Sequence, residues 1–180
     1  SDTLKADARS AISKLNSQNV RTMMVTGDNQ ATAEAIAEQC GIQDIVAEVL
    51  PDEKAAQIQS LQERGEVVAM IGDGINDAPA LAQADVGIAL GSGTDVAIET
   101  ADITLISAQL TTVVKARKLA QSAFLRIRQN LFWAFAYNVL MIPLAAIGFL
   151  HPALAEAAMA MSSLNVVSNS LRLRKLDLGE

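Results

Sequence analysis

The stretch Gly72-Asp73-Gly74-Ile75-Asn76-Asp77-Ala78-Pro79-Ala80-Leu81 decides how this chain folds and which chemistry it carries. It follows the apolar run Val67–Ile71, which predicts a buried strand, and its last three residues predict the start of a helix. Asp73 is therefore expected at the carboxyl end of a strand, in a glycine-rich loop that a ligand can approach. Carboxylate oxygens in such a loop suit Mg²⁺ and phosphate. The structural alternative is an acidic turn that caps a helix.

Two further motifs fall at boundaries between predicted strands and helices. Thr26-Gly27-Asp28-Asn29 follows the apolar segment 20–25, and Pro51-Asp52-Glu53-Lys54 opens a helix with Lys54 in its first turn. A hydroxyl and an ammonium group bind phosphate oxygens, and a carboxylate holds the metal ion that neutralises developing charge. Taken singly, Thr26 is a turn residue and Lys54 is a solvated helix lysine.

The three motifs, in this order, resemble those of the P-type ATPases, whose phosphorylation domain is haloacid-dehalogenase-like. The resemblance implies Mg²⁺ as a cofactor, with Asp73 and Asp77 in its site and Asp73 as the direct ligand, and it implies ATP as phosphoryl donor. It also implies that six residues belong to the catalytic site: Thr26, Gly27, Asp28, Lys54, Asn76 and Asp77. Two points stay open: Asp28 and Asn29 either help to close a nucleotide domain or cap a helix, and Asn76 and Asp77 orient either Asp73 or the attacking water.

The family's nucleophile is the aspartate of an Asp-Lys-Thr-Gly-Thr motif, and that motif does not occur in these 180 residues. The segment Ser1-Asp2-Thr3-Leu4-Lys5 resembles the family's Asp-Pro-x-Lys segment, with Thr3 in place of the proline. We therefore expect the nucleotide domain, the nucleophile and the earlier membrane helices to lie upstream. By itself this chain is then expected not to hydrolyse ATP by the family mechanism.

The charge distribution predicts two parts. Residues 1–115 carry 7 Lys/Arg and 17 Asp/Glu (net −10), whereas residues 116–180 carry 7 and 3 (net +4), which gives the total of −6. Residues 1–115 alternate helical and strand patterns, which indicates an α/β domain with a mostly parallel sheet, here part of a Rossmann-like phosphorylation domain. Residues 116–180 are expected to form a linker helix and the last two membrane helices. No basic stripe with interleaved aromatic residues is present, so a nucleic-acid partner is not expected.

The second part has the pattern of a transmembrane hairpin. Leu131–Leu150 is 20 residues without a charge, long enough for a hydrocarbon core of ~30 Å. His151-Pro152 predicts a short turn before a second segment, 153–171. Basic residues flank both distal ends of this hairpin, so residues 1–128 and the carboxyl terminus are expected in the cytosol. The compact loops favour a bacterial inner membrane, with the lipid bilayer as a partner.

The two membrane segments resemble those of the Cu⁺-transporting P-type ATPases. The pattern Tyr137-Asn138, four residues, then Pro143 is similar to the family's penultimate helix, and Met159-x-x-Ser162-Ser163 to its last helix. The resemblance implies that Tyr137, Asn138, Met159 and Ser163 bind Cu⁺, a soft ion that favours thioether ligands. Other expected partners are the missing upstream parts of the pump and a copper chaperone. Taken alone, a methionine in such a helix is a packing residue, and serine and asparagine bind neighbouring helices.

The prediction is therefore part of a Cu⁺-exporting translocase of the P-type ATPase family. The alternatives are a pump of this kind for Ag⁺ or Zn²⁺, a membrane-anchored phosphatase, and a truncated module that binds a metal or a partner without turnover. Cys40 is the only cysteine, which excludes an intrachain disulfide and a Cys-x-x-Cys metal site. It is expected to be a buried small apolar residue.

Overall fold

A computed structural model describes residues 6–73, 75–91, 94–149 and 151–178. The predictions for Gly74, Leu150 and the segment 1–5 lie outside these residues. The chain forms two compact units, unit 1 (Ser1–Val114) and unit 2 (Lys115–Glu180). The assignment of 1–115 and 116–180 to a phosphorylation domain and a membrane part stays a prediction.

Unit 1 alternates helices and strands. Its elements are α1 (Ala8–Ser17), β1 (Met23–Val25), α2 (Gln30–Cys40), β2 (Asp44–Val46), α3 (Pro51–Glu63), β3 (Ala69–Gly72), a 3₁₀ turn (Ile75–Asp77), α4 (Ala78–Gln83), β4 (Val86–Leu90), α5 (Asp95–Thr100) and β5 (Ile103–Leu105). The first residues of α6 (Thr111–Ala146) also belong to unit 1, and the helix continues into unit 2. Unit 2 adds α7 (Pro152–Leu171) and a 3₁₀ turn (Arg172–Lys175).

The strands pair in parallel, as the alternating pattern predicts, but they form two sheets. β1 pairs with β2, and β4 lies between β3 and β5. In the part of the chain that the structure describes, no ladder joins the two sheets. β3 also begins two residues later than predicted, and Val67, outside it, is 87% exposed. The prediction of a buried strand is wrong for most of β3, since only Gly72 of its four residues is buried.

Local sequence signals set the helix ends near the first loop. The side chain of Asn29 accepts a hydrogen bond from the backbone N–H of Thr32 at 3.0 Å, so it caps α2. At the other end of α2, Gly41 takes a left-handed conformation with φ of 77°, which glycine adopts without steric cost. Pro51 begins α3, where a missing N–H costs nothing.

The first turn of α6 is bound to the amino-terminal end of α1. One carboxylate oxygen of Asp7 accepts hydrogen bonds from the N–H of Thr111 at 2.7 Å and from its hydroxyl at 2.8 Å. Beside this contact, the buried face of α1 packs against Cys40 and against Leu110 and Val114 of the α6 region. Cys40 is a buried apolar residue, as predicted, and burial raises the pKa of its thiol.

We expect Asp7→Ala to lower the free energy of unfolding by about 1 kcal/mol at pH 7, as the loss of a helix cap does. Burial acts to raise the pKa of Asp7, but hydrogen bonds from Thr111 and Leu110 outweigh it and lower the pKa below its ordinary 3.8. A lowered folded-state pKa means that the stabilisation is complete above pH 3.8 and is lost as the pH falls below it. Urea titrations at about five pH values between pH 3 and 7 test this trend. Glu38→Ala, on an exposed part of α2, is the control; equal losses for both variants at pH 7 would contradict the prediction.

Unit 2 corrects the prediction of a transmembrane hairpin. No helix within the described ranges is both long and apolar enough to cross a bilayer. The apolar stretch 131–150 is not one helix, because α6 ends at Ala146 and Gly148 takes a φ of 76°. The predicted linker helix is not separate either, since α6 runs without a break from Thr111 to Ala146. α7 then begins at Pro152, with the side chain of His151 accepting a hydrogen bond from the N–H of Ala153.

Candidate active site and candidate metal site

The predicted site residues Lys54 and Asp77 form an ion pair. Lys54 lies in the first turn of α3, and its Nζ atom is 2.7 Å from Oδ1 of Asp77. The two side chains are only 17% and 15% exposed. A pair that is this far from water is screened weakly, so each charge depends on the other.

Asp77 also turns back toward the end of β3. Its Oδ2 atom accepts a long hydrogen bond, 3.4 Å, from the N–H of Asp73. A Cβ atom on Gly72 would lie 2.7 Å from Cβ of Asp77, so only glycine permits this close approach. The carbonyl oxygen of Asp73 accepts a hydrogen bond from the N–H of Thr94 at 3.0 Å, which fixes the loop from the other side. The structure thus brings Lys54, Asp73 and Asp77 together.

The first loop is held by its own residues. The hydroxyl of Thr26 donates to Oδ2 of Asp28, and the N–H of Asp28 donates to the Thr26 hydroxyl oxygen, both at 3.1 Å. The N–H groups of Glu48 and Val49 bind the carbonyl oxygens of Asp28 and Thr26. Gly27 lies exposed between them. Among the described residues, no hydrogen bond or ion pair joins these three predicted site residues to Lys54.

The second loop has the ligand chemistry that Mg²⁺ requires. Mg²⁺ uses one or two protein carboxylates and completes its coordination with water and phosphate oxygens. No cluster of three or more His, Cys, Asp or Glu side chains suited to a metal occurs among the described residues, and Mg²⁺ does not need one. The ammonium of Lys54 already neutralises Asp77, so the exposed Asp73 is the better metal ligand of the two. Asn76 is exposed in the 3₁₀ turn between them.

Among the described residues, no hydrogen bond between α6 and α7 joins the four residues predicted to bind Cu⁺ to one another. The amide of Asn138 donates to the carbonyl oxygen of Ala134 at 2.7 Å, within α6. The hydroxyl of Ser163 donates to the carbonyl oxygen of Met159 at 3.1 Å, within α7, and the Met159 side chain is 72% exposed. In the described part of the chain, Asn138, Met159 and Ser163 are exposed.

Tyr137 differs, because it contacts a residue that the sequence analysis did not single out. The side-chain amide of Asn165 in α7 donates a hydrogen bond to the Tyr137 hydroxyl oxygen at 3.1 Å. A sequence signal for this contact was present, since Asn165 and Asn169 are four residues apart and share one helix face.

Comparison with known proteins first gives the class of the chain. Residues 1–85 match the haloacid dehalogenase-like hydrolase family. The copper-exporting P-type ATPase of Staphylococcus epidermidis is 56% identical over 177 residues, which cover 98% of this chain and 22% of that relative. The corresponding protein of Staphylococcus saprophyticus is 54% identical with the same coverage. The structure of a zinc-transporting PIB-type ATPase in the E2.Pi state matches with a TM-score of 0.89 and 41% identity, over 96% of this chain and 28% of that chain.

Over nearly its whole length the chain is therefore similar to P-type ATPases, as its motifs predicted. It spans about a fifth of the length of the curated relatives that it matches, 22% of each.

Proposed function

We propose that this chain is part of an ATP-driven pump that exports Cu⁺ across a membrane. The observation that carries the proposal is the ion pair between Lys54 and Asp77, held against the backbone of Asp73 at the end of β3. This arrangement places the cation of α3 beside the carboxylates that follow β3, as transfer of a phosphoryl group requires. The high identity to copper-exporting relatives supports the choice of pump.

The proposed roles follow from the atoms that each residue presents. The ammonium of Lys54 binds phosphate oxygens, and Asp77 holds that ammonium in place. The hydroxyl of Thr26 offers a second hydrogen-bond donor once it leaves Asp28. Mg²⁺ bound by Asp73 would supply positive charge to the phosphate. Gly27, Asp28 and Asn76 shape the two loops.

The nucleophilic aspartate is proposed to come from outside these 180 residues, which contain no Asp-Lys-Thr-Gly-Thr motif. The two separate sheets support this idea. A further parallel strand between β1 and β3 would join them, and its carboxyl end would lie between the loops of Thr26 and Asp73. Carboxyl ends of neighbouring parallel strands are where such folds bind their ligands.

The proposed cargo rests on the donor atoms of α6 and α7. Between residues 129 and 171 the only Asp, Glu, Lys or Arg is Glu156, which disfavours a hard cation. The thioether of Met159 suits soft Cu⁺, and Tyr137, Asn138 and Ser163 add oxygen ligands. Their open faces leave room for the remaining helices of the pump.

We propose that the part of unit 2 that follows residue 128 lies in a membrane, with residues 1–128 and the carboxyl terminus in the cytosol. Many large apolar side chains of α6 and α7 are exposed, among them Phe132, Phe135, Leu140 and Leu164. Apolar surface on this scale marks contact with lipid or with other protein. Other helices of the pump are expected to pack beside them. The bacterial inner membrane and delivery of the metal by a copper chaperone are part of the same proposal.

We expect Met159→Ala to abolish Cu⁺ uptake by the complete pump in liposomes, because the exposed thioether is the one soft ligand proposed in this chain. Met161→Ala is the matched control, since this methionine is also exposed, at 59%, but lies on another face of α7. The measurement is uptake of Cu⁺, Ag⁺ and Zn²⁺ together with phosphorylation from ATP. Equal uptake by both variants would overturn the copper site, uptake of Zn²⁺ alone would reassign the cargo, and the absence of phosphorylation in the unmodified protein would favour a non-catalytic module.

A further inference from the structure

A chain of hydrogen bonds joins the carboxyl-terminal half of α7 to the middle of α6. The guanidinium of Arg126 donates to Oδ1 of Asn169 at 3.0 Å, and the amide of Asn169 donates to Oδ1 of Asn130 at 2.8 Å. The amide of Asn130 donates to the hydroxyl oxygen of Ser170 at 3.0 Å, and that hydroxyl donates to the carbonyl oxygen of Val166 at 2.8 Å. We call Arg126, Asn130, Asn169 and Ser170 the interhelical clamp. Every donor points the same way along it, so the bonds polarise and strengthen one another.

Asn169 is the centre of the interhelical clamp. It accepts from one residue of α6 and donates to another, and both contacts are partly buried. One turn earlier in α7, Asn165 donates to Tyr137 of α6. The spacings, four residues in α7 and seven between Asn130 and Tyr137 in α6, put these contacts on one face of each helix. α7 is therefore held to α6 by directed bonds at two levels, rather than by apolar packing alone.

The proposed metal ligands lie in α7, so the contacts between α6 and α7 bear on how these ligands move. Met159 and Ser163 belong to α7, whereas the helix that begins in unit 1 is α6. A movement of α6 can reach α7 along the chain that connects them or through contacts between the two helices. Among the described residues of this connection, Gly148 has a φ of 76°.

We propose that Asn169 is a positioning residue through which α6 and α7 move as one body, so that a movement of α6 displaces Met159 and Ser163. This proposal rests on the proposed pump function for its transport consequence. Its structural part, the fixed register of the two helices, does not depend on transport.

The structural part is tested on the full 180-residue chain in detergent micelles. Tyr137 is the only tyrosine in the sequence, so incorporation of 3-fluorotyrosine gives one fluorine NMR signal from a residue that contacts α7. We expect Asn169→Leu to split or broaden this signal, because loss of the interhelical clamp lets the helices change register. Ser168→Ala, an exposed neighbour in α7, is the matched control and is expected to leave the signal sharp.

The transport part is tested on the complete pump in liposomes. We expect Asn169→Leu to leave phosphorylation from ATP unchanged and to reduce Cu⁺ uptake per ATP by about tenfold, the size of a typical coupling between sites. Asn169→Asp keeps the acceptor for Arg126 but loses the donor to Asn130, so it should give a smaller loss. Asn130→Leu breaks the same hydrogen bond from the α6 side and should cause the same loss of uptake per ATP as Asn169→Leu. Agreement between the two variants shows that the loss is not due to misfolding of one of them.

Either of two results would overturn the proposal: a fluorine signal unchanged in both leucine variants, or uptake per ATP unchanged in both. If the unmodified pump transports no Cu⁺, the proposed function fails, and the fluorine signal alone still decides whether Asn169 fixes the register of α6 and α7.

Discussion

Lys54→Met is expected to slow phosphorylation of the complete pump by roughly 100- to 1,000-fold, the usual effect of removing one charged or hydrogen-bonding group from a site of transfer. The substitution removes the ammonium that is proposed to bind phosphate oxygens. It also leaves the carboxylate of Asp77 without the cation that lies 2.7 Å away. We would measure the rate of phosphoenzyme formation from labelled ATP.

Two further variants separate chemistry from stability. Lys14→Met removes an exposed lysine of α1 and should leave the rate unchanged. Lys54→Met combined with Asp77→Asn removes both charges, and the double variant should recover stability relative to Lys54→Met but not activity, because breaking one side of a poorly solvated pair costs more than removing both. Phosphorylation at the normal rate in Lys54→Met would remove this residue from the proposed site.

Ala120→Pro is expected to uncouple ATP turnover from metal transport. Proline in the interior of a helix removes a hydrogen bond and clashes with the preceding turn, at a cost of ~3 kcal/mol or more. Position 120 lies within α6, which begins beside Asp7 in unit 1 and ends near the turn to α7. A break there interrupts α6, a helix that both units share. The ratio of Cu⁺ taken up to ATP hydrolysed, measured in liposomes, is the appropriate readout.

The control for this variant is Ala120→Ser, because the position is exposed and serine costs only a few tenths of a kcal/mol in a helix, about 0.5 at most. It should transport normally. If Ala120→Pro transports Cu⁺ at the normal ratio to ATP, movement is not transmitted through α6. That result would also count against the proposal that the interhelical clamp transmits movement from α6 to α7.

The sequence predicted those elements whose signals are local. Asn29 before α2, Gly41 after it and Pro51 at the start of α3 each act through the backbone of the next few residues. The parallel pairing followed from the alternation of strands with helices. The division into two sheets could not be predicted, because it depends on which strands pair along their edges. Local sequence patterns do not indicate which strands become neighbours.

The same distinction applies to the candidate sites. Lys54, Asp73 and Asp77 were found because their motifs have fixed spacing, but the direct bond between Lys54 and Asp77 depends on the packing of α3 against the 3₁₀ turn. Asn165 and Asn169 were missed, although their spacing of four residues places them on one helix face, because that spacing does not identify their partners in α6. The membrane hairpin was overpredicted, because a count of apolar residues does not show that a helix stops at Ala146.

The burial of Cys40 has a practical consequence for the study of this chain. Its thiol lies in the core beside α1, and burial raises its pKa, so at neutral pH it stays protonated and reacts poorly. A buried thiol that is protonated at neutral pH reacts slowly with alkylating labels. Probes can thus be attached at exposed cysteines introduced elsewhere in the chain in preference to the native one.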